Sequence, residues 1–151
     1  MTADGMTATR GGPNVGALVA LLARLGLGGL FIVAGVLKWR DPAGFAQEIV
    51  NYQLFPAFAP YLAAALPAAE VVAGAALVVG PRAWRTAGAL AIGAILLMLT
   101  VAVSIAVARG LDISCGCFGG GSGRVTWLTV ARNVALLAVA AGLVRYDWRT
   151  A

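Results

Sequence analysis

Histidine is absent from the 151-residue chain, and charge is scarce: Asp, Glu, Lys and Arg together make up 11% of it. The missing imidazole removes the commonest acid–base side chain and the commonest metal ligand. The shortage of charge excludes more. Hydrophobic residues make up 61% of the chain and the mean hydropathy is +0.90, where soluble domains run at roughly 45–50% apolar and about 25% charged. A core of that size in water would have too few polar residues to cover it, so a soluble globular domain is excluded. Cysteine is nearly absent too, with Cys115 and Cys117 alone. Structural zinc and iron–sulfur clusters each take about four ligands, so either would need a second chain to complete its shell, and no metal site is expected. Covalent haem lacks its C-x-x-C-H signature. No dinucleotide or phosphate loop and no internal repeat is present. The formal net charge of +5 does not mark a nucleic-acid binder. The basic residues stand singly or in pairs at the ends of apolar runs, as membrane flanks do.

What the chain has instead is long apolar runs and twenty glycines in an apolar background, which suit close packing of membrane helices. Residues 1–14 are small and polar and read as a loose tail. Four runs follow, over about 15–37, 57–80, 86–108 and 125–144, each near the roughly 20 residues that cross a ~30 Å hydrocarbon core. The first is longer than a secretory signal core and closes on Lys38-Trp39-Arg40, which marks it as a retained span. Residues 15–145 thus form one all-α, four-transmembrane-helix bundle, with 146–151 as a short C-terminal tail. Between the first two spans, Phe45, Ile49 and Tyr52 recur at helical spacing, while Gln47, Glu48 and Asn51 fall largely elsewhere. This predicts a short amphipathic helix in the interface, either a cap on the bundle or one wall of a ligand or partner site. Trp39, Trp84, Trp127 and Trp148 sit at span ends, as interface anchors do.

Four spans put both termini on one side, with Arg10, Arg82, Arg85, Arg145 and Arg149. The opposite loops carry Lys38, Arg40, Arg109 and Arg124. Five against four leans to cytoplasmic termini in the inner or plasma membrane. The 109–125 loop then faces the oxidising side.

That loop contains Cys115-Gly116-Cys117-Phe118-Gly119. Two thiols with one glycine between them can close a very small disulfide ring, and Gly116 tolerates the backbone angles this needs. Strained or exposed disulfides are the exchange-competent ones, and a structural staple gains little from so short a loop. The sequence therefore points to redox chemistry, with a structural pair or a metal site completed by another chain as alternatives. Arg109, Arg124 and the start of the fourth helix are the groups that can favour a thiolate here.

Arg24, Glu70 and Arg132 lie inside apolar runs, where an ionisable residue costs roughly 2.5–3.5 kcal/mol even on the lenient insertion scale. Counting along each span puts Arg24 and Glu70 near mid-bilayer, which makes an Arg24–Glu70 ion pair available. Arg132 then lies about two turns higher, towards the cysteine loop. Such a pair either sets helix register or serves function, with Glu70 relaying protons and Arg132 holding a polar head group such as a quinone carbonyl. Pro67, one turn before Glu70, can free a carbonyl there.

The run Gly29-Leu-Phe31-Ile-Val-Ala-Gly35-Val-Leu-Lys38-Trp39, with Phe45, Tyr52 and Pro56, resembles the DoxX-like membrane proteins. Pro67-Ala-Ala-Glu70, the Cys115-Gly-Cys117-Phe118-Gly119 motif and Arg132-Asn133 make the MauE family of methylamine utilisation the closer resemblance, over about residues 24–140. The resemblance implies a four-helix inner-membrane protein associated with disulfide chemistry outside the cytoplasm. It implies a thioredoxin-like partner and maturation of methylamine dehydrogenase, whose small subunit is rich in disulfides. For the DoxX relatives it implies quinone-linked oxidation of sulfur compounds. Cys115 and Cys117 match the redox pair, and Lys38, Glu70 and Arg132 match polar positions of the family pattern.

The expectation is a membrane thiol–disulfide redox component that exchanges a disulfide at Cys115/Cys117 with an extracytoplasmic thioredoxin-like protein, coupled to a membrane quinone by analogy. Two rivals stand beside it. One is a non-catalytic membrane subunit or assembly factor of a redox complex; the other is a small transporter with Glu70 as its proton site.

Overall fold

Four helical segments have the length and apolarity to cross a bilayer: Val15–Arg40, Pro56–Val79, Arg82–Ala108 and Trp127–Arg149. The chain is a multi-pass membrane protein. These segments come from a computed structural model that describes residues 14–115 and 123–150; the tail expected over 1–14 lies, but for Asn14, outside them. The helices are α1 (Val15–Arg40), α2 (Pro42–Asn51), α3 (Ala59–Val79, entered through a 3₁₀ turn at Pro56–Phe58), α4 (Arg82–Ala108) and α5 (Trp127–Arg149). The short helix expected between the first two spans is α2. Asp41 caps it by accepting a hydrogen bond from the Gly44 amide at 2.9 Å, and Pro42 opens its first turn.

The bundle pairs α1 with α3 and α4 with α5, and α3 with α4 joins the two halves. Small residues make the α1–α3 seam. A Cβ on Gly28 would stand 2.9 Å from the Gly74 carbonyl oxygen, and one on Gly74 would stand 2.6 Å from that of Gly28. The two backbones touch, and only glycine on both sides allows it. A Cβ on Gly35 would likewise meet the Pro67 carbonyl at 2.6 Å. These contacts set the register of α1 against α3. Leu27, Phe31, Leu77, Ile92, Leu96 and Leu143 fill the centre of the bundle, while one flank of each span keeps its Leu and Val side chains exposed, as a lipid-facing surface does. Trp39, Trp84, Trp127 and Trp148 are exposed at helix ends.

The fourth span departs from expectation at its end. The span was expected over about 125–144 with a short C-terminal tail at 146–151, and α5 runs helical to Arg149. The last turn is held by Asp147, which is buried and accepts from the Arg24 guanidinium. Thr86 Oγ1 also donates to the Asp147 carboxylate at 3.4 Å, and Arg82 donates to the Asp147 and Thr150 carbonyls.

At the opposite end α4 closes on a glycine in the left-handed region, Gly110 at φ +67°. The Gly110 amide donates to the Val107 carbonyl and the Leu111 amide to that of Ala106, each at 3.0 Å, a Schellman closure. The chain then runs into the cysteine loop. Its two stems pair through Cys115 N–H to Gly123 O at 3.1 Å and Val125 N–H to Ile113 O at 3.0 Å. A Thr126–Thr129 capping box starts α5.

Candidate functional site at the cysteine loop

Cys115 is 6% exposed and packs with Val103 and Val125 in a small apolar cluster that also takes in Tyr52, Ile113 and Val130. Two side chains from one face of α2 hold its stretch of loop. Tyr52 Oη donates to the Cys115 carbonyl at 2.8 Å, and Ser114 Oγ donates to Glu48 Oε1 at 3.3 Å. From α5, Arg132 Nη2 donates to Cys115 Sγ at 3.8 Å. Side chains from α2 and α5, distant in sequence, thus converge on Cys115 and its neighbour Ser114.

The electrostatics of α2 follow from burial. Loss of solvent pushes the Tyr52 phenol up to about 12, with Glu48 adding repulsion and Arg132 opposing. Tyr52 therefore remains a hydrogen-bond donor throughout the ordinary pH range. Burial also raises the Glu48 carboxyl above its ordinary 4.5; the Ser114 hydroxyl and Lys38 pull it back, and Asp41 adds to the rise.

The basic residues are distributed differently from the sequence-based expectation. Arg109 reaches Gln53 Oε1 at 3.4 Å, and Arg124 forms an exposed ion pair with Asp112 at 3.2 Å. The cation at the Cys115 sulfur is Arg132, which was expected about two turns above an Arg24–Glu70 pair. That pair does not form. Arg24 meets Asp147, with its guanidinium 5.8 Å from the Tyr146 ring centre. Glu70 accepts from Lys38 Nζ at 2.5 Å. Counting had centred each helix separately in the bilayer. The glycine contacts set Gly35 beside Glu70 instead, which leaves Arg24 eleven residues, or about 16 Å, further along α1. Gly116, Cys117 and Phe118 lie outside the described residues.

Two cavities adjoin the site. An apolar groove of about 810 Å³ runs between α3 and α4 under α2, with Leu62, Leu66, Leu97, Met98 and Ile105 among its walls. Lys38, Glu48, Tyr52 and Cys115 also line it. A second cavity of about 40 Å³ lies between Lys38, Glu70, Arg132 and Asn133, a volume that suits water. Glu70 Oε2 and Asn133 Nδ2 are buried there without a hydrogen-bond partner among the described residues. Glu48 is the member of this site that the sequence pattern assigned to the polar face. Its offsets, three residues from Phe45 and four from Tyr52, were the signal that it shares their face.

The fold and site define an all-α, four-span membrane protein whose cysteine loop, between its last two spans, is braced by Glu48, Tyr52 and Arg132. The chain belongs to the MauE family: the family described as "Methylamine utilisation protein MauE" matches residues 16–146. It is 37% identical to the methylamine utilization protein MauE of Paracoccus denitrificans over 133 residues, which covers 83% of this chain and 70% of the relative. It is 35% identical to the MauE of Paracoccus versutus over 118 residues, 77% of this chain and 63% of the relative. No solved structure matches the chain.

Proposed function

We propose that this protein is a membrane thiol–disulfide redox component working at Cys115 and Cys117, within methylamine utilisation as the names of its relatives suggest. The observation that carries the reading is Arg132 Nη2 at 3.8 Å from the Cys115 sulfur. A guanidinium beside a sulfur favours the thiolate that forms when a disulfide opens. The partner is a thioredoxin-like extracytoplasmic protein. Its thiolate attacks one sulfur of the pair, the other sulfur leaves with the bonding electrons, and the partner's second thiol closes its own disulfide. Two electrons and two protons then reside on the Cys115/Cys117 dithiol. A membrane quinone removes them, reaching the sulfur from the lipid through the groove between α3 and α4. The termini are cytoplasmic and the cysteine loop is outside.

The test is thiol labelling of intact cells with a membrane-impermeant, mass-shifting reagent, before and after reduction. An oxidised pair, labelled from outside only after reduction, is the expected result. Thiols that stay reduced, or that label only once the membrane is opened, overturn the chemistry or the orientation. A Cys115→Ser/Cys117→Ser variant that keeps both activity and complex formation leaves the protein a non-catalytic assembly factor.

A further inference from the structure

We propose that the Glu48 carboxyl carries the proton that the Cys115 sulfur releases and takes back during exchange, an inference that rests on the redox reading above. Glu48 is a carboxylic acid in an apolar setting, 8% exposed, where a carboxyl unpaired by a cation is costly. Oε1 is engaged by the Ser114 hydroxyl at 3.3 Å, next to Cys115 in the chain. Oε2 is buried and has no hydrogen-bond partner among the described residues. Glu48 and Cys115 are both among the residues that line the groove. Tyr52, one turn on from Glu48, holds the Cys115 carbonyl at 2.8 Å, so α2 keeps acid and cysteine in a fixed relation.

The groups that face Glu48 leave it in this role. Lys38 from α1 is committed to Glu70 at 2.5 Å. Asp41, at the head of α2, is occupied by the Gly44 amide. Arg132 from α5 is directed at the sulfur, and Tyr52 is held as a neutral phenol. Burial raises the carboxyl above its ordinary 4.5, which narrows the gap between its acidity and that of a thiol.

The step balances in both directions. When the reduced pair is oxidised by a disulfide reagent, the Cys115 S–H proton passes to the Glu48 carboxylate. The sulfur's electron pair forms a mixed disulfide with one reagent sulfur while the other leaves as thiolate. The Cys117 thiolate then attacks the Cys115 sulfur, and the second reagent sulfur leaves with the bonding electrons. When a dithiol reduces the pair, its thiolate attacks the Cys117 sulfur, Cys115 leaves with the electron pair and Glu48 returns the proton. The dithiol's second thiolate then closes the reagent's own disulfide and releases Cys117 as thiolate. The reagent is oxidised as the pair is reduced, by two electrons.

The test uses the full chain in detergent micelles. Rates of reduction by dithiothreitol and of reoxidation by glutathione disulfide are followed between about pH 5 and 9. Glu48→Gln is expected to slow both directions at least about tenfold at neutral pH, to leave the equilibrium with glutathione unchanged, and to erase an acid inflection present in the wild-type profile. Glu48→Asp restores part of the rate. A carboxylate that acted only as a nearby charge gives the opposite sign, because its removal favours the thiolate. Unchanged or faster exchange in Glu48→Gln therefore overturns the proposal. Should that variant fail to fold, a wild-type profile with no inflection beyond those of the thiols overturns it as well. A wild-type chain that exchanges with neither reagent defeats the redox reading itself. Normal wild-type exchange with no Glu48 effect defeats this inference alone.

Discussion

Lys38 Nζ donates to Glu70 Oε1 at 2.5 Å across the α1–α3 seam, with both side chains 2% exposed. Lys38 also stands 5.2 Å from the centre of the Phe45 ring, so one ammonium joins α1, α2 and α3. Removing one partner of a buried pair strands the other charge, at about 3–5 kcal/mol. Lys38→Met and Glu70→Leu should each destabilise the detergent-solubilised chain by that order. The double variant should recover most of the loss, because two apolar side chains leave no orphan. Thermal unfolding of the four proteins checks this; a double variant as unstable as the sum of the singles contradicts it.

Arg24 belongs with Asp147 and not with Glu70. A double-mutant cycle on Arg24→Gln and Asp147→Asn should show a coupling of about 0.5–3 kcal/mol. The corresponding cycle with Glu70→Gln should be additive within about 0.5 kcal/mol. Coupling to Glu70 in place of Asp147 would restore the pairing expected from counting along the helices.

The Gly28–Gly74 contact makes a steric prediction. Gly74→Ala puts a methyl 2.6 Å from the Gly28 carbonyl oxygen and must push α1 and α3 apart, at about 1–3 kcal/mol. Gly29→Ala, where a Cβ has nothing within 4 Å, should be close to neutral. Paired melting curves decide between packing and a general intolerance of alanine.

Tyr52→Phe removes the hydrogen bond to the Cys115 carbonyl and nothing else of size. The expected loss is about 0.5–1.5 kcal/mol. A freed loop should also let the reduced Cys115 thiol alkylate faster, which peptide mass spectrometry after timed labelling reads directly.

Glu48 should leave a mark on stability as a function of pH. Burial holds its proton more tightly in the native chain than the ordinary 4.5 of an unfolded one, so the native state binds the extra proton. The stability this contributes is complete below 4.5 and is lost as pH rises through the raised native value. Glu48→Gln should lack that decline, so the melting-temperature difference, variant minus wild type, should grow upward across the interval. A difference that shrinks across it contradicts the burial of the carboxyl.

Much of this molecule is legible along the chain. Four spans need only runs of apolar residues of sufficient length, a one-dimensional property that the bilayer reads directly. α2 was legible from the spacing of Phe45, Ile49 and Tyr52, and the cysteine motif from its own five residues. The ion pairs were not. Arg24 and Glu70 fall at similar depths only if each helix is centred on its own, and the Gly28–Gly74 and Gly35–Pro67 contacts slide α1 along α3 instead. The role of Asp147 was hidden for the same reason: its partner lies 123 residues away.

Composition, run length and local spacing by themselves determined a four-span membrane bundle with a short helix between its first two spans and a cysteine loop between its last two. Each of those follows from how a short stretch of chain meets water or lipid. The tertiary structure alone decided which charges pair, which arginine faces Cys115, and that Glu48 turns inward to the loop. Those outcomes depend on where one element stops against another; between α1 and α3 that stop is set by backbone contact at Gly28, Gly35 and Gly74.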